Sequence, residues 1–248
     1  MMRDMAAATG RDAAKYQQMA DSAKAYIKEN FLNEDGTFKT AILNTMQTPA
    51  LFALKNQLVE GEAKAKMIDR LRENFAQHDL CLQTGFLGTS ILMATLTENG
   101  MEDIAYELLF QRKNPSWLYS VDNGATTIWE RWNSYMIDKG MGPRGMNSFN
   151  HYAYGCVCEW IWETVAGIAA DPATPRLQTY HYEAHSRQAV RTRDCRIPFR
   201  RRTHQECLEI RRRYLDLGIH HLVVIATVTL PGEMKSKEYG SGTYKVTK

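Results

Sequence analysis

The sequence predicts a mainly α-helical protein built from antiparallel helical pairs and ending in a short strand-forming tail. Three observations lead there. Apolar and small residues recur at helical spacing through most of the chain, in segments joined by short connections. Cap and breaker residues, such as Thr48-Pro49 and Asn99-Gly100, fall between those segments. The last stretch, "IATVTLPGEMKSKEYGSGTYKVTK", instead shows strand-like patterning around a Pro-Gly turn. With 248 residues the chain can bury a substantial core, in one domain or two.

Taken in order, "RDAAKYQQMADSAKAYIKENF" is the first amphipathic segment, and it stops before the turn-like "NEDGT". "TPALFALKNQLV" begins with Thr48 as a cap and Pro49 at the first helical position. "GEAKAKMIDRLRENFAQH" follows, then "GTSILMATLTENG" and "MEDIAYELLFQRK", divided at Asn99-Gly100. "SFNHYAYGCVCEWIWETVAGI" is apolar nearly all round and reads as a buried helix with Ser148 as its N-cap. No repeat signature links the pairs. Before the last helix lies a long aromatic-rich connection, "NPSWLYSVDNGATTIWERWNSYMIDKGMGPRGMNSFNH". Long loops inside compact domains are usually functional.

Composition excludes several classes. No apolar run reaches membrane-spanning length, and "MMRDMAAATGRDAAKYQQ" lacks the apolar core of a signal peptide. Five cysteines without framework spacing read as reduced thiols in a cytoplasm. Residues 1–175 carry 16 Lys and Arg against 21 Asp and Glu, whereas residues 176–248 carry 15 against 7. The basic part holds eleven arginines before Gly218 with no lysine and few aromatics, which argues against a nucleic-acid surface. Cys156, Cys158 and His151 are metal-ligand types, but side chains at i and i+2 on a helix point apart, so no metal and no cofactor is expected.

In "GATTIWERWNSYM" a single carboxylate, Glu130, stands among Trp129, Arg131 and Trp132. An ion pair with Arg131 is one reading. The other is a carboxylate poised against a sugar, whose apolar face stacks on rings while its hydroxyls take charged hydrogen bonds. Upstream, "CLQTGFLGTS" places Gly85 and Gly88 around Phe86 at a helix start.

Four blocks, "TGFLGT", "SWLY", "GATTIWERW" and "SFNHYAYG", occur in an order and spacing that resemble the catalytic domain of bacterial α-L-rhamnosidases, glycoside hydrolase family 78. The resemblance runs from about residue 10 to residue 172. It implies an (α/α)6 toroid followed by a small β-sandwich, and an inverting hydrolysis of terminal L-rhamnosides. It assigns Glu130 as the general base and His151 as a sugar contact, with Asn150, Trp129 and Trp132 in the pocket. Arg131, next to the acid, is expected to orient its chain. The expected partners are L-rhamnose-containing glycosides, with neither nucleic acid nor membrane.

Two departures qualify the resemblance. Family members are several times longer, and their proton-donor glutamate lies upstream of the matched part. Residues 1–172 are thus expected to be the later helical pairs of the toroid, inactive alone, with an apolar edge open to self-association. Residues 173–248 are expected to be a β domain whose segment 176–222 is out of frame. Codons for "PRLQTYHYEAHSR", read one base over, can encode "GFKHIIMKPIP", and "HQECLEIRRRYLDLG" can hide "IKSAWKYEDGTWTWD". The frame would shift near Pro175 and return between His220 and Ile225, leaving 176–222 without native strand pattern.

Overall fold

The computed structural model describes residues 1–170 and, beyond them, segments 179–183, 195–200, 205–211, 215–219, 225–229, 235–239 and 242–246. The chain divides into two compact units, Met1–Cys156 and Val157–Lys248. That division falls earlier than the boundary expected at 172/173, which lies outside the described residues.

The first unit is helical. Its helices are α1 (Met2–Ala8), α2 (Ala14–Phe31), α3 (Gln47–Lys55), α4 (Gly61–Gln77), α5 (Phe86–Glu98), α6 (Glu102–Phe110) and α7 (Trp117–Asp122). α3 and α5 pack side by side, α4 packs on α3, and α6 packs on α5. This alternation is that of a toroid of helical hairpins. α5 is central because its sequence is apolar on most sides: Leu92 and Leu96 are fully buried, as are Leu51 of α3 and Phe75 of α4. α5 ends in a Schellman motif. Gly100 takes φ +71°, Met101 N–H donates to Leu96 O and Gly100 N–H to Thr97 O. The reversal then starts α6, which α4 clasps through Arg72, bonded to both Asp103 oxygens and to Gly100 O.

Several boundaries differ from the sequence reading. α3 starts at Gln47, and Met46, not Thr48, is its N-cap residue. The reason is long-range: Gln47 donates from Nε2 to Cys81 O and accepts from Gln83 N–H, which draws it into the first turn. The connection after Pro115 contains α7, capped by Ser116 Oγ accepting from Tyr119 N–H. It also holds a minimal antiparallel pair, β1 (Tyr135–Met136) with β2 (Gly140–Met141).

The continuous helix expected over 148–168 is broken. A 3-10 turn covers Ala153–Cys156, α8 covers Val157–Trp160, and a π turn covers Ile161–Val165. Ser148 does not cap a helix; its Oγ accepts from Asn150 N–H in a local turn. The expected burial holds for Tyr154, Val157 and Trp160, whereas Tyr152 and Trp162 are exposed.

The second unit continues with strands. β3 (Ile168–Ala170), β4 (Thr179–Glu183), β8 (Ile225–Thr229) and β9 (Lys237–Tyr239) form one sheet in the order β3-β4-β8-β9. β5 (Cys195–Arg200), β6 (Gln205–Arg211), β7 (Leu215–Ile219) and β10 (Gly242–Val246) form another in the order β10-β7-β6-β5. β4 and β8 pair in parallel, with Thr179 opposite Ile225. Strands in the tail match the expectation. Those within 176–222 differ from it: a ladder forms through backbone groups that every non-proline residue carries, so pairing does not require side-chain alternation. Pro175 and residues 220–224, where the frame was read to change, lie outside the described residues. Among the described residues no helix is long and apolar enough to cross a membrane.

Candidate active site

α4 returns the chain between α3 and α5, so the starts of α3 and α5 lie at one end of the helical unit. The link from Gln47 to Cys81 and Gln83 fixes that arrangement. The four sequence blocks meet at this end.

Trp132 of the third block donates from Nε1 to Thr84 O of the first, at 2.8 Å. Its ring stacks on Tyr154 of the fourth block at 3.9 Å and 11°, and its edge meets Trp117 of the second at 5.5 Å. Trp117 in turn donates from Nε1 to Tyr154 O at 2.9 Å. Thr127 Oγ1 donates to Phe149 O, and His151 N–H donates to Ile128 O. Phe86, the first residue of α5, stacks on the His151 ring at 4.8 Å and 9°. Burial pushes the Tyr154 phenol up, so it stays a neutral O–H at physiological pH.

Glu130 is buried, with 8% of its surface exposed. Its N–H donates to Ser148 O at 2.8 Å, and its Oε2 accepts the Ser148 N–H at 2.7 Å. One oxygen is thereby fixed. Among the described residues no donor reaches Oε1, so that oxygen can accept a proton. The ion pair with Arg131 does not form. Arg131 Nε donates instead to Met146 O.

His151 is half-buried. Its Nδ1 accepts from Ala153 N–H at 3.3 Å, which leaves the neutral ring's proton on Nε2 as a donor. Asn150 is exposed beside it. Trp129 is buried, edge-on to Phe149 at 5.2 Å and to Tyr135 at 6.4 Å. The fold thus groups Glu130, Asn150 and His151 on adjoining turns. Trp129 and Trp132 are engaged with other rings.

Sequence reasoning missed Phe86, Tyr154 and the Ser148 amide. Phe86 and Tyr154 stand inside blocks already singled out, so their membership was a usable signal. A backbone amide leaves none. Cys156 Sγ points to Thr89 O at 3.5 Å, while Cys158 is exposed.

The profile of the bacterial α-L-rhamnosidase 6-hairpin glycosidase domain matches residues 1–165. The chain belongs to this family. It is 45% identical over 159 residues to an α-L-rhamnosidase of Formosa agariphila, covering 64% of this chain and 17% of that protein. It is 41% identical over 165 residues to one of Streptomyces avermitilis, covering 66% and 16%. The structure of a Streptomyces avermitilis α-L-rhamnosidase complexed with L-rhamnose superposes with TM-score 0.81 at 30% identity, over 97% of this chain and 25% of that one. An Aspergillus terreus α-L-rhamnosidase gives TM-score 0.80 at 27% identity, over 98% and 28%. The chain therefore spans about a sixth of the length of the curated relatives it matches.

Proposed function

We propose that this rhamnosidase-family chain supplies the base side of an inverting α-L-rhamnosidase site and acts on L-rhamnose-containing glycosides. The observation that carries the reading is Glu130: a buried carboxylate with one oxygen fixed by an amide and the other open, at the end where all four blocks meet. As general base it takes a proton from the water that attacks the anomeric carbon. The leaving oxygen is protonated by a second carboxyl group, roughly 6.5–9.5 Å away in inverting enzymes. His151 offers Nε2–H to a sugar hydroxyl with Asn150 beside it. Trp129 and Trp132 back the pocket wall.

The same reading makes the exposed apolar side chains of α2 an open edge of the toroid. α2 buries none of its residues, and Met19, Tyr26 and Phe31 are exposed. Where it is left uncovered, that edge drives self-association. The β part runs on from β3 through residues 173–248, with 176–222 written out of frame, and sequencing the DNA across codons 175 and 220–225 tests this directly. The thiols of Cys81 and Cys158 suit a reducing cytoplasm.

The decisive assay is release of p-nitrophenol from its α-L-rhamnoside by a polypeptide that joins this chain to the helical pairs completing the toroid. Glu130→Gln keeps shape and hydrogen-bonding reach but removes basicity, so kcat falls on the order of 10²–10⁴ with KM little changed. His151→Ala weakens sugar binding as well as rate. A Glu130→Gln enzyme within about threefold of the parent would place the base elsewhere.

A further inference from the structure

The segment Gly140–Asn147 runs from β2 to the Ser148 turn and is fastened to the residues just after Glu130. Arg131 Nε donates to Met146 O at 2.7 Å. Ser134, fully buried, accepts on its carbonyl from Gly142 N–H at 2.8 Å and from Asn147 Nδ2 at 3.2 Å. Arg131 and Ser134 are joined to each other: Arg131 N–H donates to Ser134 Oγ at 3.1 Å, and Ser134 N–H donates to Arg131 O at 3.2 Å.

The fit is tight. A Cβ at Gly142 would lie 2.5 Å from Asn133 O, so no side chain is accommodated there. Met146 holds φ +49°, a left-handed conformation that a non-glycine residue keeps only where its surroundings enforce it. Met146 also exposes 70% of its surface, so burial of its side chain does not supply that enforcement; the Arg131 bond to its carbonyl does. Two residues on, the Ser148 N–H reaches Glu130 Oε2.

We propose that Arg131 and Ser134 are positioning residues for Glu130: acting through Gly140–Asn147, they seat the Ser148 amide on Oε2 and so leave Oε1 as the oxygen open to a proton. The role rests on the reading of Glu130 as the base. It differs from a direct Arg131–Glu130 pair, because the guanidinium never touches the carboxylate it controls. Its charge is spent on a carbonyl, a contact that also draws no positive charge onto the carboxylate oxygen that must stay basic.

The test follows the Ser148 amide of the full chain by ¹H–¹⁵N spectroscopy. A hydrogen bond to the Glu130 carboxylate sets the Ser148 shift and slows its exchange with solvent, and Glu130→Gln, which removes the charge, fixes the size of that effect. Arg131→Met should reduce the seated population about fivefold, the equivalent of one hydrogen bond, and move the Ser148 shift and exchange toward those of Glu130→Gln while distant amides keep theirs. Arg131→Lys, which keeps a donor on a stem of similar length, should restore part of it. Asn147→Ala, which removes the Nδ2 bond to the Ser134 carbonyl, provides a second route if Arg131→Met does not fold, with a change in the same direction. An unaltered Ser148 amide in folded Arg131→Met or Asn147→Ala overturns the proposal. The signal reads a hydrogen bond and not turnover. An error in assigning Glu130 as base would appear in the rhamnoside assay with this signal intact, and the two failures stay separable.

Discussion

Trp132→Phe isolates the role of the indole N–H. Trp132 Nε1 donates to Thr84 O at 2.8 Å, and Thr84 is buried. Phenylalanine keeps a ring against Tyr154, 3.9 Å away, but cannot donate. Among the described residues, Thr84 O then retains only the long contact from Thr89 Oγ1, at 3.4 Å. Leaving a buried carbonyl short of its donor costs about 1–2 kcal/mol. For a chain of this size that corresponds to a fall in melting midpoint of roughly 2–8 °C. Trp132→Leu also forfeits the ring pairs with Tyr154 and Trp117, each about 0.5–1.5 kcal/mol, bringing the loss to about 2–5 kcal/mol. Urea unfolding of the chain, followed by far-ultraviolet circular dichroism with thermal melts in parallel, measures both. If Trp132→Phe lies within about 0.3 kcal/mol of the parent, or loses as much as Trp132→Leu, the N–H bond is not what ties these blocks together.

Other expectations are simpler to state. Leu92→Ala, at a fully buried position in α5, should cost about 2–5 kcal/mol in the same urea experiment. Gly88→Ala would set a Cβ 2.3 Å from Thr48 Oγ1 and 2.9 Å from Thr84 Cγ2, so α3 and α5 must part, at about 1–3 kcal/mol and with a visible change in the near-ultraviolet spectrum. The Arg72 hydrogen bond holds the Asp103 carboxyl below its ordinary value of 3.8. Its stabilisation is therefore present above that value and is lost as pH falls through the lower folded one. Because the pair is partly exposed, Asp103→Asn should flatten the acid limb of the stability–pH curve by less than about 1 kcal/mol. Charging the open edge with Met19→Glu and Ile27→Glu should lower the apparent mass by size-exclusion chromatography if that face drives association.

The helices were largely legible because each carries its own periodic signal. α2, α4, α5 and α6 fall where the apolar spacing and the Asn99-Gly100 stop put them. What was not legible depends on distant partners. The start of α3 is set by Gln47 reaching Cys81 and Gln83, contacts that no window around Thr48 reveals. The segment 148–168 looked helical from its apolar run. Its β-branched residues, Val157, Ile161, Thr164 and Val165, weaken that state, and the Tyr154 carbonyl is taken by the Trp117 indole. α7 has only six residues, too few to show a period. The strands within 176–222 rest on backbone pairing that side-chain alternation does not announce. At the site, the residue types in the blocks were readable. The partner of Glu130 was not, because it is an amide that any residue at 148 except proline would provide.

The aromatic series also gives the protein an optical handle. Phe86, Tyr154, Trp132 and Trp117 follow one another ring to ring, with the Tyr154–Trp132 pair face to face. Two chromophores held that close in a fixed, chiral arrangement couple their transitions, and the resulting near-ultraviolet dichroism vanishes when either ring turns. Because the rings come from the segments that bring Glu130 and His151 together, that band reports whether the two are assembled. It does so without substrate or turnover, and it allows fragments and variants to be ranked before any activity is measured.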